Sequence, residues 1–387
     1  MELKVGFGRY NITPPLGVPM AGYMQREGSA EDLHDELTAR AVVFECNGES
    51  AALVLADVCM LPEWFPCRVR VKLSERTGIP EGHVVVAATH THSGPALHEE
   101  SAYRDLLPDL MASAAELAWK HRRPARLFYG TGRAEGLCIN RRELSGPVDE
   151  EFAFLTAEDA EENALGVLFS YALHGVVMGH NNLSISADHI GAARRVIEDG
   201  LPGAQAVFVA APSGDINPLT PSVKDLLEKH GEKWFTDDPL TGIYDRSTGT
   251  FDEVEQIGRA LGEAVLRSLP DKEPVGAAKL GGKAWSVDIG DESEVGITPC
   301  ALELGDVTIL ALPGEHFVES GAALKQMASQ AGRRLLMVTH AGRLCYVPPR
   351  EAFAQGGYEV ESARSKGLAE DAQQRILESV RRELFAG

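Results

Sequence analysis

Val84-Val85-Val86-Ala87-Ala88-Thr89-His90-Thr91-His92-Ser93-Gly94-Pro95 decides how this 387-residue chain is read. Five apolar residues, Val84 to Ala88, run straight into His-x-His and then into a Ser-Gly-Pro turn. An uninterrupted apolar run of strand length, closed by turn formers, fits a strand buried on both faces. In an extended segment, residues two apart project to the same side, so the imidazoles of His90 and His92 can face one point. They would stand at a strand end, where sheet proteins place their ligands. Imidazole suits zinc and other borderline metals. A pair of strand-end histidines that only hydrogen-bond to their surroundings fits the same spacing.

Working outward, runs of the same kind recur at Ala41–Glu45, Ala51–Ala56, His83–Ala88, Leu165–Tyr171, Ala206–Ala210, Val307–Leu312 and Leu335–Thr339. Helical patterns follow many of them, at Ala102–Lys120, Ala187–Gly200, Phe251–Leu269, Glu315–Ala331 and Val360–Phe385. Apolar strands alternating with helices predict an α/β protein whose sheets are covered on both faces. Ala125–Arg133 and Lys279–Ile289 read as hairpin material, so the sheets should be mixed. No internal repeat and no low-complexity linker divides the chain, and one large domain over residues 1–387 is the expectation. The one composition shift, Pro221–Thr250, is polar and reads as a long surface excursion.

Composition narrows the function classes. Fifty-seven acidic against 37 basic residues give a formal charge of −20. A surface of that sign repels phosphate backbones, which argues against nucleic acid as a partner. The six cysteines are scattered, with no C-x-x-C pair, and indicate neither a disulfide framework nor a cysteine zinc knuckle. The start, MELKVGFGRY, enters a strand-like pattern without a basic and then apolar leader. No run reaches 18 apolar residues, so no membrane span or stable membrane association is expected, and a cytoplasmic location follows as the expectation.

Further candidates for chemistry sit in settings like that of His90. His174 ends the run Val167–Leu173 and precedes Gly175. Glu315 follows Ile309–Gly314, which places a carboxylate at a strand end that opens a helix; negative charge in a first helical turn is also favourable without any catalytic role. Arg141 lies in Cys138-Ile139-Asn140-Arg141-Arg142. Ala211–Pro218 is dense in turn formers and reads equally as a tight turn.

Taken in order, THTHSGP (89–95), NRRE (140–143), HGVVMGHNNLSISADHIGAA (174–193), GDINP (214–218), LPGEHFVESGAALK (312–325) and CYVPPREAFAQGGYEV (345–360) form a signature. The chain resembles the N-terminal catalytic domain of the neutral/alkaline non-lysosomal ceramidase superfamily, particularly its short bacterial members. VGFGRYNITPPLGVPMAGY (5–23) and HDELTARAVVF (34–44) fit the same pattern. The resemblance implies a layered sandwich of mixed β-sheets flanked by helices. It implies a Zn2+-dependent amidase that cleaves an N-acyl bond. The metal would be held by His90, His174, Glu315 and Tyr346, with His92, Arg141 and Tyr358 as catalytic groups beside it. Against that pattern, the expectation for this sequence is a single domain without a C-terminal immunoglobulin-like domain and without a signal peptide. The chain also carries Asn217 where the family has a serine; asparagine cannot act as a serine nucleophile. The expected activity is therefore amide hydrolysis by metal-activated water on a soluble, small N-acyl compound. The alternatives are an ester or glycosidic substrate, or a non-catalytic metal-binding scaffold.

Overall fold

Side chains along the central strands sort by twos. On Thr38–Cys46, Ala39, Ala41 and Val43 face one side, and Val42, Phe44 and Cys46 face the other. Both sides are buried, as the period of a strand covered on two faces requires. The computed structural model describes residues 3–231, 247–276, 279–291, 295–342 and 346–386.

Three larger sheets are built this way. The first has the order Val84–Ala88, Glu49–Ala56, Thr38–Cys46, Leu3–Asn11 and Arg123–Pro124. The second runs Gln205–Ala210, Ala164–Tyr171, Glu151–Glu158, Arg126–Arg133 and Glu273–Pro274. The third runs Leu280–Ala284, Cys300–Leu304, Val307–Ala311 and Arg334–Val338. Each contains one parallel pair at an edge, and its remaining pairs are antiparallel. The mixed sheets expected from the sequence are therefore present.

All three sheets turn one face to a shared core, in which Leu53 and Val85 meet Leu168 and Val207 and also Ile309 and Leu336. Their other faces carry helices: Phe65–Thr77 and Ala102–His121 on the first, Asp188–Gly200 and Phe251–Ser268 on the second, Val318–Gln330 and Ala372–Val380 on the third. The layered sandwich with flanking helices is thus observed. Helix Ala102–His121 lies so close to the first sheet that a Cβ on Gly6 would stand 2.0 Å from the Ala118 carbonyl oxygen. Only glycine permits that approach.

The boundaries differ from expectation in instructive places. Glu315 does not open a helix: Glu315–His316 forms a short parallel pair with Tyr346–Val347, and the helix begins at Val318. The helix expected over Val360–Phe385 is broken into Tyr358–Ser365 and Ala372–Val380, followed by one wide turn, with Gly367 at φ 74 in the break. Ala125–Arg133 finds its partner in Glu151–Glu158, and Leu280–Ala284 pairs with Cys300–Leu304. Within the excursion Pro221–Thr250, Pro221–His230 is a helix capped by the Thr220 hydroxyl, while residues 232–246 lie outside the described residues. Among the described residues, no helix is long and apolar enough to cross a membrane.

Candidate metal centre and its cleft

The parallel pair of each sheet ends at the same place. Beyond Val84–Ala88 come His90 and His92, and beyond Ala164–Tyr171 comes His174. Beyond Val307–Ala311 comes Glu315, and beyond Arg334–Val338 comes His340. Short main-chain links knit these turns together. Thr91 bridges Gly175, the His174 amide donates to the Ile216 carbonyl at 3.2 Å, and the Gly214 amide donates to the His316 carbonyl at 2.7 Å. The Arg141 amide donates to the Asp215 carbonyl at 2.8 Å, and Glu315 sits in register with Tyr346. Strand ends at a crevice are where sheet proteins hold ligands.

The two histidines of the opening motif converge by a turn and not by strand alternation. His90 lies at φ 70, so the extended backbone has already ended there. Its ring stands perpendicular to that of His92, at 89°, and the two Nε2 atoms are 3.2 Å apart.

The donor chemistry at the centre is specific. Nδ1 of His90 lies 2.6 Å from the Cys59 carbonyl, and Nδ1 of His174 lies 2.7 Å from the Ser213 carbonyl. A carbonyl only accepts, so each Nδ1 carries the proton and each Nε2 presents a lone pair. Those two Nε2 atoms lie 3.4 and 3.2 Å from the same carboxylate oxygen, Oε2 of Glu315. All three side chains are buried. Two lone pairs and an anionic oxygen in one dry place repel each other unless a cation sits among them. Burial would raise the Glu315 carboxyl, yet His90 and His174 together hold it well below the usual carboxylate range. Burial likewise opposes a charged His90, but Cys59 and Glu315 outweigh it and raise the ring to about 10, so that without a metal a proton on Nε2 takes the place of that lone pair. The set therefore demands one positive charge, and its chemistry fits a borderline divalent metal: two imidazoles oriented by backbone carbonyls, and one carboxylate.

Beside this centre lies a cleft lined by Gly22 to Gln25, His92, Arg141, Asn217, Tyr346 and Tyr358 among others. His92 forms part of its wall, and burial, followed by the charges of His90 and His174, keeps its ring well below the ordinary histidine value. Arg141 is held from several sides. Its Nε donates to Glu359 at 2.7 Å, its Nη2 to the Tyr346 hydroxyl at 3.1 Å, and its Nη1 to the Asn217 side-chain oxygen at 3.4 Å. Burial raises the Tyr346 phenol well above 10 despite the Arg141 charge beside it, so an ionised Tyr346 would need the cation. The Tyr358 ring packs edge-on to that of Tyr346, with centroids 5.7 Å apart.

The structure thus brings His90, His174 and Glu315 together, sets His92 against both histidines, and places Arg141, Tyr346, Tyr358 and Asn217 along the adjoining cleft. Four contributors escaped the sequence reading. Residues 22–25 form one wall, and Gly22, at φ 108, leaves room for the His92 ring where a Cβ would stand 2.6 Å away. Arg26 fastens this segment by donating to the Ala21 carbonyl at 2.5 Å and the His92 carbonyl at 2.9 Å. Glu359 is fully buried and joins Arg141 to Arg142. His340 stacks on His90. Gly22 and Glu359 lie in stretches that carry the longer similarity, which does not single them out; nothing local marks Arg26 or His340.

With this geometry in hand, comparison with known proteins gives the class. The family model "Neutral/alkaline non-lysosomal ceramidase, N-terminal" matches residues 3–113. The crystal structure of neutral ceramidase from Pseudomonas aeruginosa shares the fold with a TM-score of 0.81 at 20% identity, over 98% of this chain and 73% of that one. Residues 3–113 thus resemble the N-terminal domain of that family, and the chain shares the fold of a neutral ceramidase. Among curated relatives, the neutral ceramidase of Oryza sativa subsp. japonica is 30% identical over 232 residues, 51% of this chain and 30% of that protein. The neutral ceramidase of Pseudomonas aeruginosa is 28% identical over 249 residues, 56% of this chain and 37% of that protein. The matched part therefore spans about a third of those relatives' length.

Proposed function

We propose that this protein is a zinc-dependent hydrolase that cleaves the amide bond of a small N-acyl compound. One observation carries the reading: the Nε2 atoms of His90 and His174 converge on Oε2 of Glu315 while both Nδ1 protons are committed to backbone carbonyls. Tyr346, in register with Glu315, would complete the ligand set. Zinc held there supplies Lewis acidity that makes water nucleophilic near neutral pH.

The chain's own residues do the rest. The cleft beside the centre admits a substrate carbonyl between His92 and Arg141. As a tetrahedral oxyanion develops, the Arg141 guanidinium, oriented in advance by Glu359, and the Tyr358 hydroxyl donate to it. His92, kept neutral by burial, takes at Nε2 the proton that the attacking water loses and passes it to the departing amine. Asn217 orients Arg141 and leaves no serine nucleophile at that position. The names of the relatives suggest ceramide. The charge of −20 favours a more polar acyl compound.

The test combines metal analysis with a substrate panel. The purified protein is expected to hold about one zinc per chain, and Glu315→Gln to lose both metal and hydrolysis of short N-acyl amides. Amide cleavage that persists in metal-depleted Glu315→Gln protein would overturn the proposal. Cleavage of esters or glycosides without any amide would redirect it to another bond.

A further inference from the structure

We propose that His340 is a positioning residue of this centre: its ring, stacked on that of His90, sets the plane in which His90 Nε2 meets Glu315 and a bound metal ion. This rests on the metal-centre reading above and goes beyond it, since His340 belongs neither to the ligands nor to the cleft wall.

The two rings are nearly parallel, 11° apart, with centroids at 3.9 Å, and both are buried. The bond from His90 Nδ1 to the Cys59 carbonyl fixes one atom of that ring. The torsion between Cβ and an imidazole is soft, so one hydrogen bond leaves the ring free to rock about it. A flat partner on its face removes that freedom, and the direction of the Nε2 lone pair depends on it.

The backbone shows the same coupling. His340 lies at φ 58 and His90 at φ 70, both in the left-handed region that non-glycine residues rarely enter and that clusters at functional sites. The His340 amide donates to the Gly314 carbonyl, and its carbonyl accepts from the Ala88 amide, each at 3.3 Å. One partner directly precedes Glu315, and the other stands two residues before His90. His340 therefore braces two ligand-bearing turns from different sheets. Its Nδ1 is buried without a hydrogen-bond partner.

Wild type, His340→Asn and His340→Phe would be compared as full chains. Asparagine tolerates the left-handed backbone but removes the ring face; phenylalanine keeps a face and removes both nitrogens. Zn2+ affinity is measured by competition with a chromophoric chelator, and ligand geometry by the visible spectrum of the Co2+-loaded protein. His340→Asn is expected to bind Zn2+ about 10–100-fold more weakly, the effect of losing an outer-shell support, with a changed Co2+ spectrum. His340→Phe is expected to match wild type in both. Wild-type affinity and spectrum in His340→Asn would overturn the proposal, and so would a loss in His340→Phe equal to that in His340→Asn. Should His340→Asn fail to fold, His340→Phe decides alone: retained affinity supports the stacking role, and lost affinity ends it. A wild type that binds no metal would instead sink the metal-centre reading, and this inference with it.

Discussion

Replacing Glu359 by glutamine tests how much of the site depends on a residue outside the cleft. The Glu359 carboxylate is fully buried and accepts from Arg141 Nε and Arg142 Nη1, each at 2.7 Å. The side chains of these arginines are only 6% and 11% exposed. Glutamine has nearly the same shape but offers one accepting oxygen and an NH2 group that faces a guanidinium donor to donor. Two nearly buried cations would lose their shared counter-charge, and breaking such a pair costs about 3–5 kcal/mol. For 387 residues, with unfolding entropy of about 2.1 cal/mol/K per residue, that lowers Tm by about 4–6 °C. The loss to chemistry is separate. Arg141 freed from Glu359 no longer aims at a developing oxyanion, and losing one such donor lowers kcat about 10²–10³-fold. The pH dependence follows from the sign of the shift. Burial raises the Glu359 carboxyl, but Arg141 and Arg142 outweigh it and hold it below its ordinary value. Its contribution to stability is present above the unfolded pKa, about 4.3, and is lost as pH falls through the folded one. Wild type and Glu359→Gln should therefore differ most near neutrality and converge in acid. Thermal melts from pH 3 to 7, with steady-state kinetics on the best amide substrate, measure all three quantities. A variant with unchanged kcat and a constant Tm offset across that range would refute the reasoning.

Two other substitutions separate the site from the scaffold. Gly22→Ala puts a methyl group 2.6 Å from the His92 ring at a backbone angle of φ 108, so the loop or the ring must move. Strain of about 1–3 kcal/mol on that wall should lower kcat/KM by about tenfold or more while zinc content stays at wild type; unchanged kinetics would show that His92 needs no such room. Asp57→Asn breaks the buried two-bond pair with Arg194, at 2.8 and 2.7 Å, and should cost about 3–5 kcal/mol in denaturant unfolding, again with zinc content intact. A change below 1 kcal/mol would mean that Arg194 finds another anion.

The strands around the site were legible because a parallel edge buried on both faces leaves an unbroken apolar run, as in Val84–Ala88 and Val307–Ala311. The helix Phe65–Thr77 was not, because it buries only Phe65, Pro66, Val69 and Leu73 among many charged residues. Glu315 was assigned to a helix start because its strand partner, Tyr346, is distant in sequence and local pattern cannot announce it. Within the site, the motif marked His90 and His92, and ordered similarity along the chain suggested the remaining candidates. Glu359 and His340 went unseen because their roles are purely tertiary: one closes a buried ion pair across 218 positions, and the other presents a ring face from a different sheet.

Because each sheet contributes one corner of the centre, the site is a property of the whole chain and of no part of it. On a ribosome, a nascent chain that has passed residue 174 carries the histidines but no carboxylate, and Tyr346 emerges later still. Under the proposed function, metal capture would then report completion, since the full donor set exists only once three separately paired sheets have docked. For the same reason an ion bound there would tie together segments more than two hundred residues apart, and opening any one sheet would release it.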